Sequence, residues 1–333
     1  MNVGINGFGR IGRLCLRALL RRHPGVDVVA VNDLASPAQL AYLFKYDSNY
    51  GKWSGEVSAT DGALEIDGRH VVVTAERDPA SIPWGDLGVD VVLECTGRLT
   101  DGNKAAAHLT AGAAKVIISA PARNEHLTIV LGVNQHRYDP RAHHILSNAS
   151  CTTNGLAPMA HVLHRAFGLE RGFMTTIHAY TNSQGIQDVI KDDLREGRAG
   201  PQNLVPTTTG AARAIGRVLP DLNGRLDGMS IRVPVPCVSI VDLVGTYQKP
   251  VTPADLNEVL SEAAAGELEG ILGFSREALV STDLRGDTRS SIIDAASTMG
   301  GDHMGKTLAW YDNEWGYSCR LGDLAAFVLE KGW

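Results

Sequence analysis

Apolar and polar positions in the first 150 residues alternate between two periods. Short β-branched runs at Val3–Asn6, Val26–Asn32, Val71–Thr74, Val89–Glu94, Lys115–Ser119 and Ile129–Val133 predict strands. Between the first two, Ile11, Leu14, Cys15, Ala18 and Leu19 recur at helical spacing within Arg10–Arg22, and Asp101 is placed to cap a helix running to about Leu109. Strands alternating with helices in this way predict a doubly wound parallel sheet. From Cys151 the texture changes. Leu156, Met159, Ala160 and Leu163 form one helical stripe, and the longer alternating runs Gly228–Val235 and Val238–Gln248 predict antiparallel strands. The segment Tyr180–Val205 is polar and poorly periodic, which predicts a long functional or interface loop. Leu321, Leu324, Ala325 and Val328 predict a terminal helix.

Length and charge narrow this picture. A chain of 333 residues is long enough for about two domains. With 31 Lys and Arg against 37 Asp and Glu the formal charge is −6, with no basic block, so neither a nucleic-acid nor a membrane partner is expected and small-molecule chemistry is favoured. The start lacks a charged, apolar leader and no stretch approaches 18 apolar residues, which predicts a cytoplasmic protein. The five cysteines are scattered without Cys-x-x-Cys or Cys/His ligand spacing, so neither a disulfide framework nor a metal site is expected.

Two constellations carry chemistry. The first is Gly7-Phe8-Gly9-Arg10-Ile11-Gly12, between a strand and a helix. Gly7 permits the tight turn, Gly9 lets backbone approach a pyrophosphate, and Gly12 lets helix and strand pack closely, while the helix start offers free N–H groups to the anion. Asp33 stands about 20 residues on, at the end of the second strand, where a carboxylate accepts from ribose hydroxyls and repels a 2′-phosphate. NAD is therefore favoured over NADP; the bland reading of Asp33 is a cap for the segment beginning near Pro37. Thr96, Gly97 and Ser119 sit at further C-terminal strand ends, the edge at which such sheets bind ligands.

The second constellation is Ser147-Asn148-Ala149-Ser150-Cys151-Thr152-Thr153-Asn154. Ser150 is a plausible N-cap, which puts Cys151 in a first helical turn, where the helix dipole and free N–H groups favour a thiolate and can receive an oxyanion. His178 ends the alternating run Met174–His178, from where it can pair with the thiol as acid or base. The other cysteines read as packing residues.

With these residues in place, the sequence resembles the phosphorylating glyceraldehyde-3-phosphate dehydrogenase family over essentially its whole length. The resemblance also runs through Lys45-Tyr46-Asp47-Ser48, His178-Ala179-Tyr180-Thr181, Thr207-Thr208-Thr209-Gly210-Ala211-Ala212 and Trp310 to Tyr317. It implies that Cys151 attacks the aldehyde of glyceraldehyde 3-phosphate, that oxidation with NAD leaves a thioester, and that inorganic phosphate cleaves it, with His178 assisting proton transfer. It further implies that Thr181 and Arg232 hold the substrate phosphate, that Ser150, Thr152, Thr209 and Gly210 receive the attacking phosphate, and that Arg10, Ile11, Asp33, Arg77, Ser119 and Asn313 contact the cofactor.

On this basis the fold class is α/β. The expected division is a Rossmann-type doubly wound NAD-binding domain over residues 1–150, completed by a C-terminal helix over 315–333, and an α+β catalytic domain over 151–314 with a largely antiparallel sheet. The family resemblance makes 180–205 an intersubunit loop of a homotetramer. Gly155, Ser183, Glu196 and Ile190 depart from the family's usual residues. The weighed alternatives are erythrose-4-phosphate dehydrogenase and a non-catalytic binding protein on the same fold.

Overall fold

The computed structural model describes residues 1–332; Trp333, the last residue of the terminal helix expected over 315–333, lies outside them. The chain divides into two compact units. One holds Met1–Ile129, His136–Ala149 and the chain from Ser318; the other holds Val130–Gln135 and Ser150–Tyr317.

The first unit is built on a nine-stranded sheet, whose elements in chain order are β1 (Asn2–Asn6), α1 (Arg10–Arg22), β2 (Asp27–Asn32), α2 (Pro37–Lys45), β3 (Val57–Thr60), β4 (Ala63–Ile66), β5 (Arg69–Thr74), β6 (Val91–Glu94), α3 (Gly102–Ala105), α4 (Ala107–Thr110), β7 (Lys115–Ile118), β8 (Leu127–Thr128) and β9 (Ile145–Ser147). Across the sheet the strands run β3-β4-β5-β2-β1-β6-β7-β9-β8. All neighbours from β5 onward pair in parallel, while β3 and β4 add an antiparallel hairpin. Val3, Ile5, Val91, Val92, Leu93, Val116 and Ile117 are fully buried, as strands covered on both faces require. Because β1 is flanked by β2 and β6, the chain winds both ways from it, and a crevice opens at the C-terminal ends of β1 and β6.

Two local expectations change here. Residues 129–133 form no strand. Gly132 sits at φ +85°, and the amides of Val130 and Gly132 donate to the side chains of Asn134 and Gln135 at 2.8 and 2.9 Å, so this turn satisfies its backbone without a ladder. The sheet instead takes Ile145–Ser147, a strand too short to show a period. The Asp101 cap is present, with its side chain accepting from the Asn103 amide, but the helix it starts is broken into α3 and α4.

The second unit begins with α5 (Cys151–Phe167) and β10 (Leu169–Ala179), continues through β11 (Val205–Thr208), α6 (Ala211–Val218), β12 (Leu226–Val233), β13 (Ser239–Tyr247), α7 (Pro253–Ala265), β14 (Leu272–Ser275) and β15 (Ser291–Gly301), and ends at β16 (Met304–Tyr311). Its sheet runs β11-β12-β10-β13-β16-β15-β14. Four of six pairings are antiparallel, but β12, expected to be antiparallel, pairs in parallel with the central β10. This matters because the parallel register sets His178 opposite Arg232. Helix α5 packs over β10, β13 and β16, burying Met174 and Thr176, whereas Phe173 and Met229 face outward. Between β10 and β11 the chain forms only one 3-10 turn, Gly200–Gln202, and is held by loop contacts such as Val189 N–H to the Gly197 carbonyl at 2.7 Å.

The terminal helix α8 (Trp315–Lys331) crosses the unit boundary. From Ser318 it belongs to the first unit, where Asp323 pairs with Arg22 of α1 and with His23, which caps that helix, and Gly322 lies against Leu19. The division thus departs from a break at residue 150 in three places: 130–135 belong to the second unit, Ser150 opens it, and α8 changes unit at Ser318 rather than at 315.

Candidate active site

In the first unit a cleft of about 380 Å³ lies at the crevice, lined by Gly7, Gly9, Asp33, Arg77, Cys95 and Thr96 among others. Each glycine has a separate physical reason. Gly7 has φ +90°, and a Cβ there would sit 2.7 Å from the Thr96 nitrogen; a Cβ on Gly12 would meet the Gly7 oxygen at 2.2 Å; a Cβ on Gly9 would meet nothing within 4 Å, so that face of the loop stays open. The loop's N–H groups and this open face fit a pyrophosphate. Asp33 is no helix cap. Ser36 caps α2 through a reciprocal capping box with Gln39, while Asp33 accepts from Phe8 N–H at 2.8 Å and Ala35 N–H at 3.1 Å and so fixes the glycine loop to the end of β2.

The remaining predicted contacts of this unit divide by what the side chain does. Arg77 and Thr96 line the cleft, and Gly97 follows at φ +70°. The Arg10 guanidinium is held by the buried Asp47 and lies over the Tyr50 ring, leaving its backbone and that of Ile11 as the groups presented by the first turn of α1. Burial pushes the Cys95 thiol up to about 12, against a hydrogen bond from Ser119. Cys95 is accordingly an inert wall, and Cys15, Cys237 and Cys319 are buried thiols.

In the second unit Ser150 caps α5, its Oγ accepting from Thr153 N–H at 3.0 Å. The preceding Ala149 has φ +54°, a conformation that costs a non-glycine residue roughly 1–2 kcal/mol and turns the chain into the helix. Cys151 is thereby presented in the first turn. Its Sγ lies 3.5 Å from Nε2 of His178 and 4.0 Å from the Thr152 hydroxyl. Nδ1 of His178 is claimed twice at 2.6 Å, by the Ala179 carbonyl and by Nη1 of Arg232. The first contact needs hydrogen on Nδ1 and leaves Nε2 a bare acceptor toward the sulfur; the second moves the hydrogen to Nε2. The site therefore has two proton arrangements for one geometry.

The electrostatics correct one expectation. The helix start was expected to favour a thiolate, but burial raises the Cys151 thiol, with Arg232 and hydrogen bonds to Thr152 only partly opposing it. Burial first, and then the neighbouring Arg232 charge, pull His178 down to about 3 against the opposing hydrogen bond to Ala179. The resting pair is neutral thiol and neutral imidazole, poised for proton transfer when sulfur attacks.

Arg232 has a buried Nε with no hydrogen-bond partner among the described residues, the condition of a guanidinium awaiting an anion. Thr181 is engaged within its loop, its N–H and hydroxyl reaching Gln184 and its hydroxyl Ser183 at 2.9 Å. Thr209 and Gly210 open α6, where Thr209 Oγ1 accepts from Ala211 N–H at 3.2 Å. Asn313 is buried, its Oδ1 accepting from Ser239 at 3.0 Å. Of the departures, Glu196 accepts from Thr207 at 2.6 Å, Ile190 is fully exposed, and a Cβ on Gly155 would press on the Tyr311 ring at 3.3 Å. Sequence reasoning missed Tyr311 as a site residue: its hydroxyl bridges Thr152 at 2.9 Å and Thr176 at 2.7 Å, and its ring meets His178 edge-on. Its place in the Trp310 to Tyr317 block was the one available signal.

A cleft whose glycine loop fits a pyrophosphate in one unit and a cysteine–histidine pair at a helix start in the other are the parts that define the class of nicotinamide-dependent dehydrogenases. Comparison with known proteins narrows the class. Residues 1–102 match "Glyceraldehyde 3-phosphate dehydrogenase, NAD binding domain" and residues 150–313 match "Glyceraldehyde 3-phosphate dehydrogenase, C-terminal domain". The glyceraldehyde-3-phosphate dehydrogenase of Geobacillus stearothermophilus is 57% identical over 333 residues, covering 100% of this chain and 99% of the relative. Glyceraldehyde-3-phosphate dehydrogenase 1 of Bacillus subtilis is 54% identical with the same coverage, and the glyceraldehyde-3-phosphate dehydrogenase of Streptomyces coelicolor is 52% identical over 98% of both chains. The chain belongs to the glyceraldehyde-3-phosphate dehydrogenase family.

Proposed function

We propose that this chain catalyses the NAD-dependent, phosphorylating oxidation of D-glyceraldehyde 3-phosphate to 1,3-bisphosphoglycerate through a covalent intermediate on Cys151. The observation that carries the reading is the Cys151 Sγ to His178 Nε2 approach of 3.5 Å at the start of α5, with Arg232 against the same imidazole. Cys151 attacks the aldehyde carbon while its proton passes to Nε2, and the thiohemiacetal oxygen is met by the free N–H groups of the helix start. His178 hands this proton to that oxygen to form the hydroxyl, and the freed Nε2 takes it back as the carbon is oxidised. The Gly7–Gly12 loop, Asp33, Arg77 and Ser119, with Asn313, would hold NAD, which would supply the hydride acceptor for oxidation to the thioester. Inorganic phosphate, received by Ser150, Thr152, Thr209 and Gly210, attacks the thioester carbon and returns the Cys151 thiolate, while Thr181 and Arg232 hold the substrate's own phosphate. The unpartnered Nε of Arg232 supports that last role. The fixed Asp33 carboxylate supports NAD over NADP.

The same reading includes a homotetramer: Ile186, Val189, Ile190, Leu194 and Leu204 of the loop and Phe173, Met299 and Met304 of the sheet are exposed apolar side chains that a second copy would cover. It also includes a cytoplasmic, reducing location, which keeps the free Cys151 a thiol. No helix among the described residues is long and apolar enough to cross a membrane. Absorbance of reduced cofactor, followed with the three-carbon and four-carbon aldehyde phosphates with and without inorganic phosphate, tests the function. A phosphate-dependent signal strongest with the three-carbon substrate is expected; a stronger four-carbon signal, or none, would reject it.

A further inference from the structure

Behind the cofactor cleft the first unit buries a chain of polar side chains that none of the proposed roles uses. Glu94, at the end of β6, is 1% exposed and His108, on α4, is 0% exposed. Glu94 accepts at four points. Oε2 receives Asn6 Nδ2–H at 2.6 Å and His108 Nε2 at 3.0 Å; Oε1 receives Thr96 N–H at 2.8 Å and the Thr96 hydroxyl at closer range. Four converging donors match the capacity of a carboxylate, which carries no hydrogen of its own.

The imidazole state follows from its other neighbour. The Trp84 indole N–H donates to His108 Nδ1 at 3.0 Å, and an indole can only donate, so Nδ1 carries the lone pair and Nε2 the hydrogen that points at Glu94. Trp84 is fully buried and lies on Gly4 of β1, where a Cβ would come within 2.7 Å of its ring. On the other side the chain of bonds continues. Asn6 Oδ1 accepts from Asn32 Nδ2 at 2.8 Å, and Asn32 Oδ1 accepts from the Thr74 hydroxyl and Glu76 N–H, each at 2.8 Å. Every donor and acceptor direction in the sequence Trp84, His108, Glu94, Asn6, Asn32 is fixed by its neighbour.

We infer that Trp84, His108 and Glu94 are positioning residues for cofactor binding: they lock Thr96 and Asn6, and through Asn32 the Glu76–Arg77 turn, into the arrangement the cofactor meets. Thr96, Asn6, Asn32, Glu76 and Arg77 all line the cleft, while Trp84 and His108 do not. The network is satisfied without the cofactor, so binding requires no reordering of these groups, and loss of one link frees the cleft wall to adopt alternatives. The inference rests on the reading of this cleft as the NAD site.

Calorimetric titration of the full chain with NAD tests it, with iodoacetamide alkylation of Cys151 as a second readout. His108→Leu removes both ring nitrogens and is expected to raise the NAD Kd about tenfold, which is about 1.4 kcal/mol. Its kcat at saturating cofactor and its alkylation rate stay within twofold of the parent. His108→Gln, of similar volume, restores an N–H on the Glu94 side and recovers most of the affinity. An unchanged Kd in His108→Leu overturns the inference, and so do equal losses in the two variants, which would mean packing alone. Should His108→Leu not fold, Trp84→Phe, which removes only the indole N–H donor and part of the ring, decides: a Kd about threefold higher supports the inference and a parent-like Kd overturns it. Asp33→Ala separates the two readings. Parent-like affinity there removes the cleft assignment and the relay with it, whereas weakened binding there with unchanged binding in His108→Leu removes the relay alone.

Discussion

The two units handle buried polar groups in opposite ways. Behind the dinucleotide cleft each proton of the Trp84–His108–Glu94–Asn6 chain has one place to be. At the thiol site the corresponding groups are left undecided: His178 Nδ1 is claimed by a donor and an acceptor at the same distance, Arg232 Nε has no partner among the described residues, and burial holds both thiol and imidazole neutral. Binding is served by a single rigid arrangement, because mobile groups must be ordered at a cost in free energy. Proton transfer is served by two arrangements close in energy. A histidine beside an acidic partner is thus fixed in one unit, and a histidine beside a thiol is left open in the other.

The largest break in this contrast comes from removing the Cys151 sulfur. Cys151→Ser should lower turnover by about three orders of magnitude or more while NAD affinity by calorimetry stays within twofold; a variant retaining a tenth of the activity would remove Cys151 as nucleophile. Gly12→Ala strikes the other unit. A Cβ 2.2 Å from the Gly7 oxygen must displace the loop, so NAD affinity should fall about tenfold or more with Cys151 alkylation unchanged. Parent-like affinity would contradict the role assigned to that close packing.

Smaller effects sharpen the description of the undecided site. In the free protein the alkylation rate should keep climbing as pH rises through the ordinary thiol value of 9.0, since burial raises Cys151. His178→Asn should slow alkylation at neutral pH severalfold by removing the proton acceptor; an equal rate would leave His178 without a role in activating the thiol. Tyr311→Phe removes the hydroxyl that bridges Thr152 and Thr176. The expected result is a severalfold higher KM for inorganic phosphate, a smaller change in kcat, and about 1 kcal/mol less stability in urea.

Acid gives the gentlest test. The His178 pKa is about 3 in the fold against an ordinary 6.5, so between those values the unfolded chain binds the extra proton. Its contribution to stability is complete above pH 6.5 and is lost as pH falls toward 3, at up to about 1.4 kcal/mol per unit. Urea midpoints of His178→Asn should therefore fall less steeply over that window than those of the parent. Parallel slopes would show that the imidazole is not held neutral.

Much of this site was legible before any coordinates. Gly7, Gly9, Gly12 and Asp33 are fixed by local backbone demands that leave a linear trace, and Ser150 with Cys151 follows from helix-capping rules. The second sheet was legible as alternation but not as direction, because period-two patterning is the same whether a strand runs parallel or antiparallel. That is why the β10–β12 pairing, and with it the place of Arg232 beside His178, stayed hidden. Residues 129–133 misled for a related reason: an apolar run whose amides are met by Asn134 and Gln135 looks like a strand until those side chains are located.

The sequence by itself determined the doubly wound first unit, the glycine loop between β1 and α1 and the placing of Cys151 at a helix start, since each rests on residues within a few positions of one another. Tertiary structure decided how the protons are placed. Glu94 and His108 are 14 residues apart and His178 and Arg232 are 54 apart, and whether such groups meet a donor, an acceptor or both depends on which strands lie side by side. A hydrogen-bond network is closed or left open in space, by pairings the linear order does not contain.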